Sequence, residues 1–196
     1  GDIFRDAGLP DGIFSVVNGD KEMVDAIIQH PDIAAISFVG SSDVAHYIHA
    51  EGCARGKRVQ AMGGAKNHAI VMPDADLDQV VRDLAGAAFG SAGERCMALP
   101  VVVPVGEETA ERLRAMLLPA IARLRIGTST DPEADYGPVV TAAHKARIEH
   151  YIQMGVDEGA ELVVDGRGFT LQGHEGGFFI GPSLFDHVQP HMQSYR

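Results

Sequence analysis

An α/β fold built on parallel strands is predicted by three features of this 196-residue chain. Short apolar runs alternate with segments whose apolar residues recur at helical spacing, the order expected of βα units feeding a parallel sheet. Glycines punctuate the pattern where runs end, at Gly40, at Gly63 with Gly64, and at Gly93. The composition is 45% hydrophobic and 22% charged, which suits a chain that buries a core.

Taken in order, Ile13 to Asn18 reads as a strand, and Asp20 can cap a helix that carries Met23, Val24, Ile27 and Ile28 on one face. Ala34 to Val39 is a second strand. It enters Gly40-Ser41-Ser42-Asp43, where glycine permits a tight turn and Ser or Asp can cap a helix running to about His49. Arg58 to Met62 is a third apolar stretch, and the pattern restarts after it. A domain boundary is therefore expected near Met62, dividing residues 1–61 from 62–196. Ala69 to Met72 reads as a strand. Leu77, Val80, Val81, Leu84 and Ala88 mark a helix from 76 to about 89, started by Asp74 or Asp76. Val101 to Val105 is a strand, and Leu113, Met116, Leu117, Ala120, Ile121 and Leu124 stripe the helix after it. Thr141 can cap a further helix that buries Ile148, Tyr151 and Ile152. Gly176-Gly177 and Gly181-Pro182 punctuate turns around a strand, and Leu184 to Arg196 shows no closing element.

Lys and Arg total 16 against 27 Asp and Glu, a formal charge of −11, which disfavours nucleic acid phosphates and anionic membranes as partners. No apolar run approaches the roughly 20 residues that span a bilayer. The two cysteines, Cys53 and Cys96, have no CxxC spacing, so neither a disulfide framework nor a structural zinc site is expected, and a reducing cytoplasm suits them. The pairs His46/His49 and His187/His191 have helical spacing but no third ligand, and no metal is expected. Cys96 follows Gly93-Glu94-Arg95 in a turn after a long helix, where a thiol can be exposed and a guanidinium favours the thiolate. A lone cysteine is more often a small buried hydrophobe, and Cys53 has only that reading. Gly40-Ser41 at a helix start can cradle a phosphate, although no GxGxxG is present and such a junction is commonly a plain connection.

The order of the motifs resembles that of the aldehyde dehydrogenase superfamily from end to end. Gly8-Leu9-Pro10-Asp11-Gly12 with Val17-Asn18-Gly19 is similar to that family's GLPxG…VxxG segment, and Phe38-Val39-Gly40-Ser41-Ser42-Asp43-Val44-Ala45 to its FTGSxxVG cofactor turn. Tyr136-Gly137-Pro138-Val139-Val140 and Gly177-Phe178-Phe179-Ile180-Gly181-Pro182 are similar to its GPxV and GYFxxPTxF motifs. Gly93-Glu94-Arg95-Cys96 resembles the nucleophile motif Gly-Gln-x-Cys, with Glu94 in place of Gln. Val59 to His68 aligns without a gap on the VTLELGGKSP stretch, and Met62 stands where hydrolytic members carry glutamate. Gly-Ala-Lys-Asn-His at 64 to 68, with Gly-Glu-Arg-Cys-Met-Ala at 93 to 98, resembles the methylmalonate-semialdehyde branch.

The resemblance implies an α/β, aldehyde dehydrogenase-like fold: the end of a Rossmann-type NAD-binding domain over 1–61, then an α/β catalytic domain over 62–196. It implies Cys96 as nucleophile and Arg95 as the partner of a substrate carboxylate. Ser41 would contact the cofactor pyrophosphate, Gly63 would line the nicotinamide, and Phe38 and Gly40 would shape the turn. The family's glutamate activates water, and a thioether cannot accept that proton. Met62 thus implies that coenzyme A, not water, receives the acyl group. The implied products from methylmalonate or malonate semialdehyde are propanoyl-CoA or acetyl-CoA, CO₂ and NADH. The family's second oxyanion donor, an Asn, is expected before Gly1, and its EEIFGP motif after Arg196, so this chain alone is expected neither to bind NAD tightly nor to turn over. Family members assemble as dimers or tetramers, which implies a homo-oligomer. A hydrolytic aldehyde dehydrogenase and a silent scaffold are the alternatives.

Overall fold

Residues 1–196 are all described by the computed structural model, in which the chain parts into two units, Gly1–Gly64 and Ala65–Arg196. The first unit opens with a short helix, α1 (Asp2–Asp6), which no periodic pattern announces. Residues 13–18 form no strand, contrary to expectation. Their alternation is apolar enough, yet no second strand lies alongside to complete a hydrogen-bonded ladder. Ile13, Val16 and Val17 are consequently exposed.

From Asp20 onward the first unit follows its local sequence. The Asp20 carboxylate accepts the Lys21 N–H at the start of α2 (Lys21–Gln29), which buries Ile28. β1 (Ala35–Val39), α3 (Ser42–Ala54) and β2 (Arg58–Met62) make a βαβ unit whose strands pair in parallel from Ala35↔Arg58 to Val39↔Met62. α3 runs to Ala54, beyond the expected His49, because Gly52 is a buried packing residue rather than a stop. Lys57 is nearly buried and donates from Nζ to the carbonyls of His30 (2.6 Å) and Ile33 (2.5 Å), tying the entry to β2 to the α2–β1 connection. Cys53 is not buried, as expected, but exposed: it lies on the solvent side of α3, its Sγ 3.7 Å from Nε2 of His49 one helical turn earlier.

The second unit contains β3 (His68–Val71), α4 (Leu77–Phe89), β4 (Val101–Pro104), α5 (Glu107–Ala122), α6 (Ala142–Asp157), β5 (Glu161–Val164) and β6 (Leu184–Asp186). Asp76 rather than Asp74 caps α4, accepting from the N–H groups of Asp78 (3.1 Å) and Gln79 (3.2 Å). Thr141 caps α6 through the N–H of His144. β3 and β4 pair in parallel, and Val71, Leu77, Val81, Leu84, Leu113, Leu117 and Ile121 form the main core between the helices and these strands.

A second cluster, Val139, Ile152 and Ile180, joins two of the motifs read from sequence. Residues 178–180 form no strand, contrary to expectation. The Tyr136-Val140 and Gly177-Pro182 segments meet instead through single bonds, Val139 N–H to Phe178 O (3.0 Å) and Tyr136 Oη–H to Ile180 O (3.1 Å). Burial, reinforced by the neighbouring Asp135 charge, pushes the Tyr136 phenol well above its ordinary pKa, so it donates at all working pH values. The closing stretch does hold an element: β6 pairs antiparallel with β5. Arg114 of α5 fastens that pair, reaching Glu161 (2.6 Å) and Asp186 (2.9 Å). No helix is long and apolar enough to cross a membrane.

Candidate thiol active site

Cys96 lies in the second unit, in the connection between α4 and β4. The helix gives way to a tight turn over Gly90–Gly93 in which Ser91 (φ 55°), Ala92 (φ 53°) and Gly93 (φ 78°) are all left-handed. For the two residues with a Cβ this costs about 1–3 kcal/mol each. The cost of each is comparable to the roughly 1.5–3 kcal/mol gained by burying one leucine such as Leu84, so a packed surround can hold it. The surround is present: Ala92 packs against the Val139 cluster, while Leu99 packs against the main core and donates its N–H to Ala87 O (3.2 Å).

Between those two anchors the chain projects. Ala98 N–H donates to Arg95 O (3.0 Å), closing a turn with Cys96 at its second position. Cys96 is exposed, as is Met97, while Ala98 is buried beneath them. The Cys96 N–H enters none of the hydrogen bonds that close the turn and remains free to donate outward. A thiol at the tip of a pinned turn, beside an unused N–H, can attack a carbonyl carbon and stabilise the oxygen that becomes charged.

Arg95 folds back against Gly90 and donates to Gly86 O (3.4 Å) in the last turn of α4. There its charge is favourably placed toward the negative end of the helix dipole. One long bond leaves most of its five donors unused and available to a carboxylate. Sequence reasoning assigned no role to Asn67, whose side-chain NH₂ donates to Cys96 O (3.0 Å) and Ala98 O (2.8 Å). Only its place beside the Gly-Gly turn could have signalled it. The left-handed Ser91 and Ala92 carry no signal at all, since neither residue type favours that conformation.

The other residues singled out by sequence belong to the first unit. Phe38 ends on the turn after β1, and its ring lies across Gly40, where a Cβ would fall 2.4 Å from the ring carbon Cζ. Gly40 N–H donates to Met62 O (3.1 Å), joining the turn to the end of β2. Ser41 is the N-cap of α3 but its hydroxyl makes no cap bond, so it and the first-turn N–H groups are open to an anion. Asp43 in that turn works against one. Ser42, read from sequence only as part of the turn and a possible cap, accepts the Gly64 N–H (3.2 Å), and a Cβ on Gly63 would strike its Oγ at 2.7 Å. Met62 is half-exposed at the C-terminal end of β2. Gly40→Ala must displace the Phe38 ring; if this is the cofactor turn that the resemblance implies, NAD affinity of the full-length protein should fall about tenfold or more, as one lost good contact or about 1.4 kcal/mol implies. Titration of NAD by intrinsic or cofactor fluorescence reads this directly, and unchanged affinity would remove the turn from the cofactor site.

Two other features of the second unit do not point to chemistry. Glu161, Asp186 and His187 bring their donor atoms within 4.8 Å of one another, but both carboxylates are already engaged by the guanidinium of Arg114. A cleft of about 520 Å³ is lined by Lys66, Arg147, Tyr151, Met154, Gln193, Ser194 and Arg196, without Cys96. Its walls hold no thiol, and the exposed Cys96 on its strained turn is the better candidate.

The aldehyde dehydrogenase family profile matches residues 1–196. A malonate-semialdehyde dehydrogenase of Pseudomonas aeruginosa is 58% identical over 195 residues, which is 100% of this chain and 39% of that protein. One from Halalkalibacterium halodurans is 48% identical, again over 100% of this chain and 40% of its own length. Among solved structures, a methylmalonate-semialdehyde dehydrogenase from Oceanimonas doudoroffii superposes with TM-score 0.94 at 52% identity, over 98% of this chain and 40% of its own. An aldehyde dehydrogenase of Mycobacterium tuberculosis complexed with NAD⁺ gives 0.90 at 30% identity, over 100% of this chain and 40% of its own. The chain thus spans about two fifths of the length of the relatives it matches. With its motifs, its α/β units and its full-length match in agreement, it belongs to the aldehyde dehydrogenase family.

Proposed function

We propose that residues 1–196 are part of a longer, cytoplasmic, oligomeric enzyme that oxidises methylmalonate or malonate semialdehyde with NAD and transfers the acyl group to coenzyme A. Residues 1–61 would close a Rossmann-type cofactor domain and residues 62–196 would carry the catalytic thiol. The observation that carries this reading is the exposed Cys96 on its strained, pinned turn. The naming of close relatives as malonate- or methylmalonate-semialdehyde dehydrogenases supports the substrate class.

The donor set of the first unit fits part of a dinucleotide: Ser41 and the first N–H groups of α3 would hold the pyrophosphate, Gly40 and Phe38 would shape the turn, and Gly63 would leave room for the nicotinamide. NAD supplies an acceptor for the aldehyde hydride. Within this chain, the Cys96 thiolate adds to the aldehyde carbon, and its own N–H donates to the resulting oxyanion. Arg95 pairs with the substrate carboxylate, a geometry that suits the guanidinium fork. Loss of the hydride leaves a thioester on Cys96; the carboxylate leaves as CO₂, its bonding pair passing to the α-carbon as the thioester enolate, which takes up a proton from solvent. Met62 has no lone pair basic enough to take a proton from water. The thiol of coenzyme A, a good nucleophile as thiolate, therefore attacks the thioester carbonyl and releases Cys96.

Incubating the full-length protein with either semialdehyde, NAD and coenzyme A should yield propanoyl-CoA or acetyl-CoA by mass spectrometry. NADH formation at an undiminished rate without coenzyme A, with free acid as the product, would mark the enzyme as hydrolytic. Equal inertness of Cys96 and Cys53 to iodoacetamide would instead favour a silent scaffold.

A further inference from the structure

We infer that Asn67 is a positioning residue that sets the nucleophile by clamping the Cys96 turn from the strand side. The inference rests on the reading of Cys96 as the nucleophile. Both N–H donors of the Asn67 amide are used, one on Cys96 O (3.0 Å) and one on Ala98 O (2.8 Å). The first bond fixes the peptide plane that follows Cys96. The second holds the end of the same turn, which Arg95 O and Ala98 N–H close from within. With the planes on either side fixed, the Cα–Cβ direction from which the thiol projects and the orientation of the Cys96 N–H are fixed too. An exposed turn has no packing of its own to do this, since Cys96 and Met97 bury little.

Asn67 is itself held still. It precedes β3 directly, and β3 is in register with β4 from His68↔Val101 onward, which puts the amide opposite the chain running from Cys96 into β4. On one side of it, Lys66 Nζ donates to Tyr195 O; on the other, His68 Nε2 meets Tyr195 Oη at 2.8 Å. The segment carrying Tyr195 is in turn fastened by Glu158, whose carboxylate accepts from the N–H of Gln193 (2.6 Å), the N–H of Ser194 (3.0 Å) and the Ser194 hydroxyl (2.8 Å). Those three bonds hold the Glu158 carboxyl below its ordinary pKa, so the brace is charged throughout the neutral range. The side-chain chemistry is specific. Asp at 67 would turn a carboxylate oxygen toward two carbonyls, Ala would offer nothing, and Ser would retain one donor at most.

The test uses Asn67→Ala, Asn67→Asp and Asn67→Ser in the full-length protein, each checked for an unchanged melting temperature. Misplacing a nucleophile by about 1 Å can cost about 10² in rate. Asn67→Asp and Asn67→Ala should therefore lower kcat for NADH formation about 10²-fold, with Asn67→Ser between them and wild type, while KM for NAD and the alkylation rate of Cys53 stay put. Hydrogen exchange at residues 95–99 should accelerate about tenfold or more on loss of two bonds, with α4 unaffected. Wild-type exchange at 95–99, or wild-type kcat in Asn67→Asp, overturns the clamp. Acyl-CoA analysis judges the acylation reading separately: if NADH forms without acyl-CoA, that reading fails and the clamp stands. Should no NADH form at all, exchange alone decides for or against it.

Discussion

Cys96→Ala in the full-length enzyme should reduce NADH formation to background, a loss of at least about 10⁴-fold by analogy with the removal of other covalent nucleophiles. Cys53→Ala should leave the rate unchanged. Both thiols are exposed, so exposure does not separate them; the backbone does. Cys53 sits inside a regular helix where its N–H is engaged in the helical ladder. Cys96 sits on a turn entered through three left-handed residues, with its N–H free. Because the Cys96 side chain packs against little, its loss should change stability by no more than about 0.5 kcal/mol. Activity lost with the fold intact identifies a chemical role. Full activity in Cys96→Ala, or a comparable loss in Cys53→Ala, would end the assignment.

Met62→Glu should create turnover that does not need coenzyme A. A positioned general base is worth about 10²–10⁴-fold, and the rate of NADH formation without coenzyme A should rise by that order, with free acid as its product. The site tolerates the change, since Met62 is 50% exposed at the strand end and a carboxylate there stays solvated. The backbone of residue 62, which receives the Gly40 N–H, is untouched. Steady-state rates with and without coenzyme A in wild type and variant form the measurement. A variant still wholly dependent on coenzyme A would show that residue 62 is not what separates acylation from hydrolysis.

Local sequence determined most of the elements. The caps Asp20, Asp76 and Thr141 act as their residue types require, and the apolar stripes of α2, α4 and α5 match the faces that are buried; in α6 Ile152 is buried as expected, but Tyr151 is exposed, its ring lying beside the Arg147 guanidinium one turn earlier. These features depend on contacts three or four residues apart, and a reader of the chain sees both partners at once. The apolar run at 13–18 misleads because a strand exists only with a neighbour, and the run cannot reveal that it lacks one. β6 was hidden for the converse reason: three residues are too few to show a period, and pairing with β5 makes them a strand.

The candidate site divides along the same line. The thiol, its guanidinium neighbour and the missing base at Met62 are matters of residue type, and the motifs display them. Only the tertiary structure decided that Ser91 and Ala92 turn left-handed, that Ala92 and Leu99 anchor the turn in two separate cores, and that Asn67 spans 29 residues of chain to reach Cys96. Strain of that kind persists only where packing elsewhere in the fold outweighs it, and such packing is absent from any local stretch of sequence.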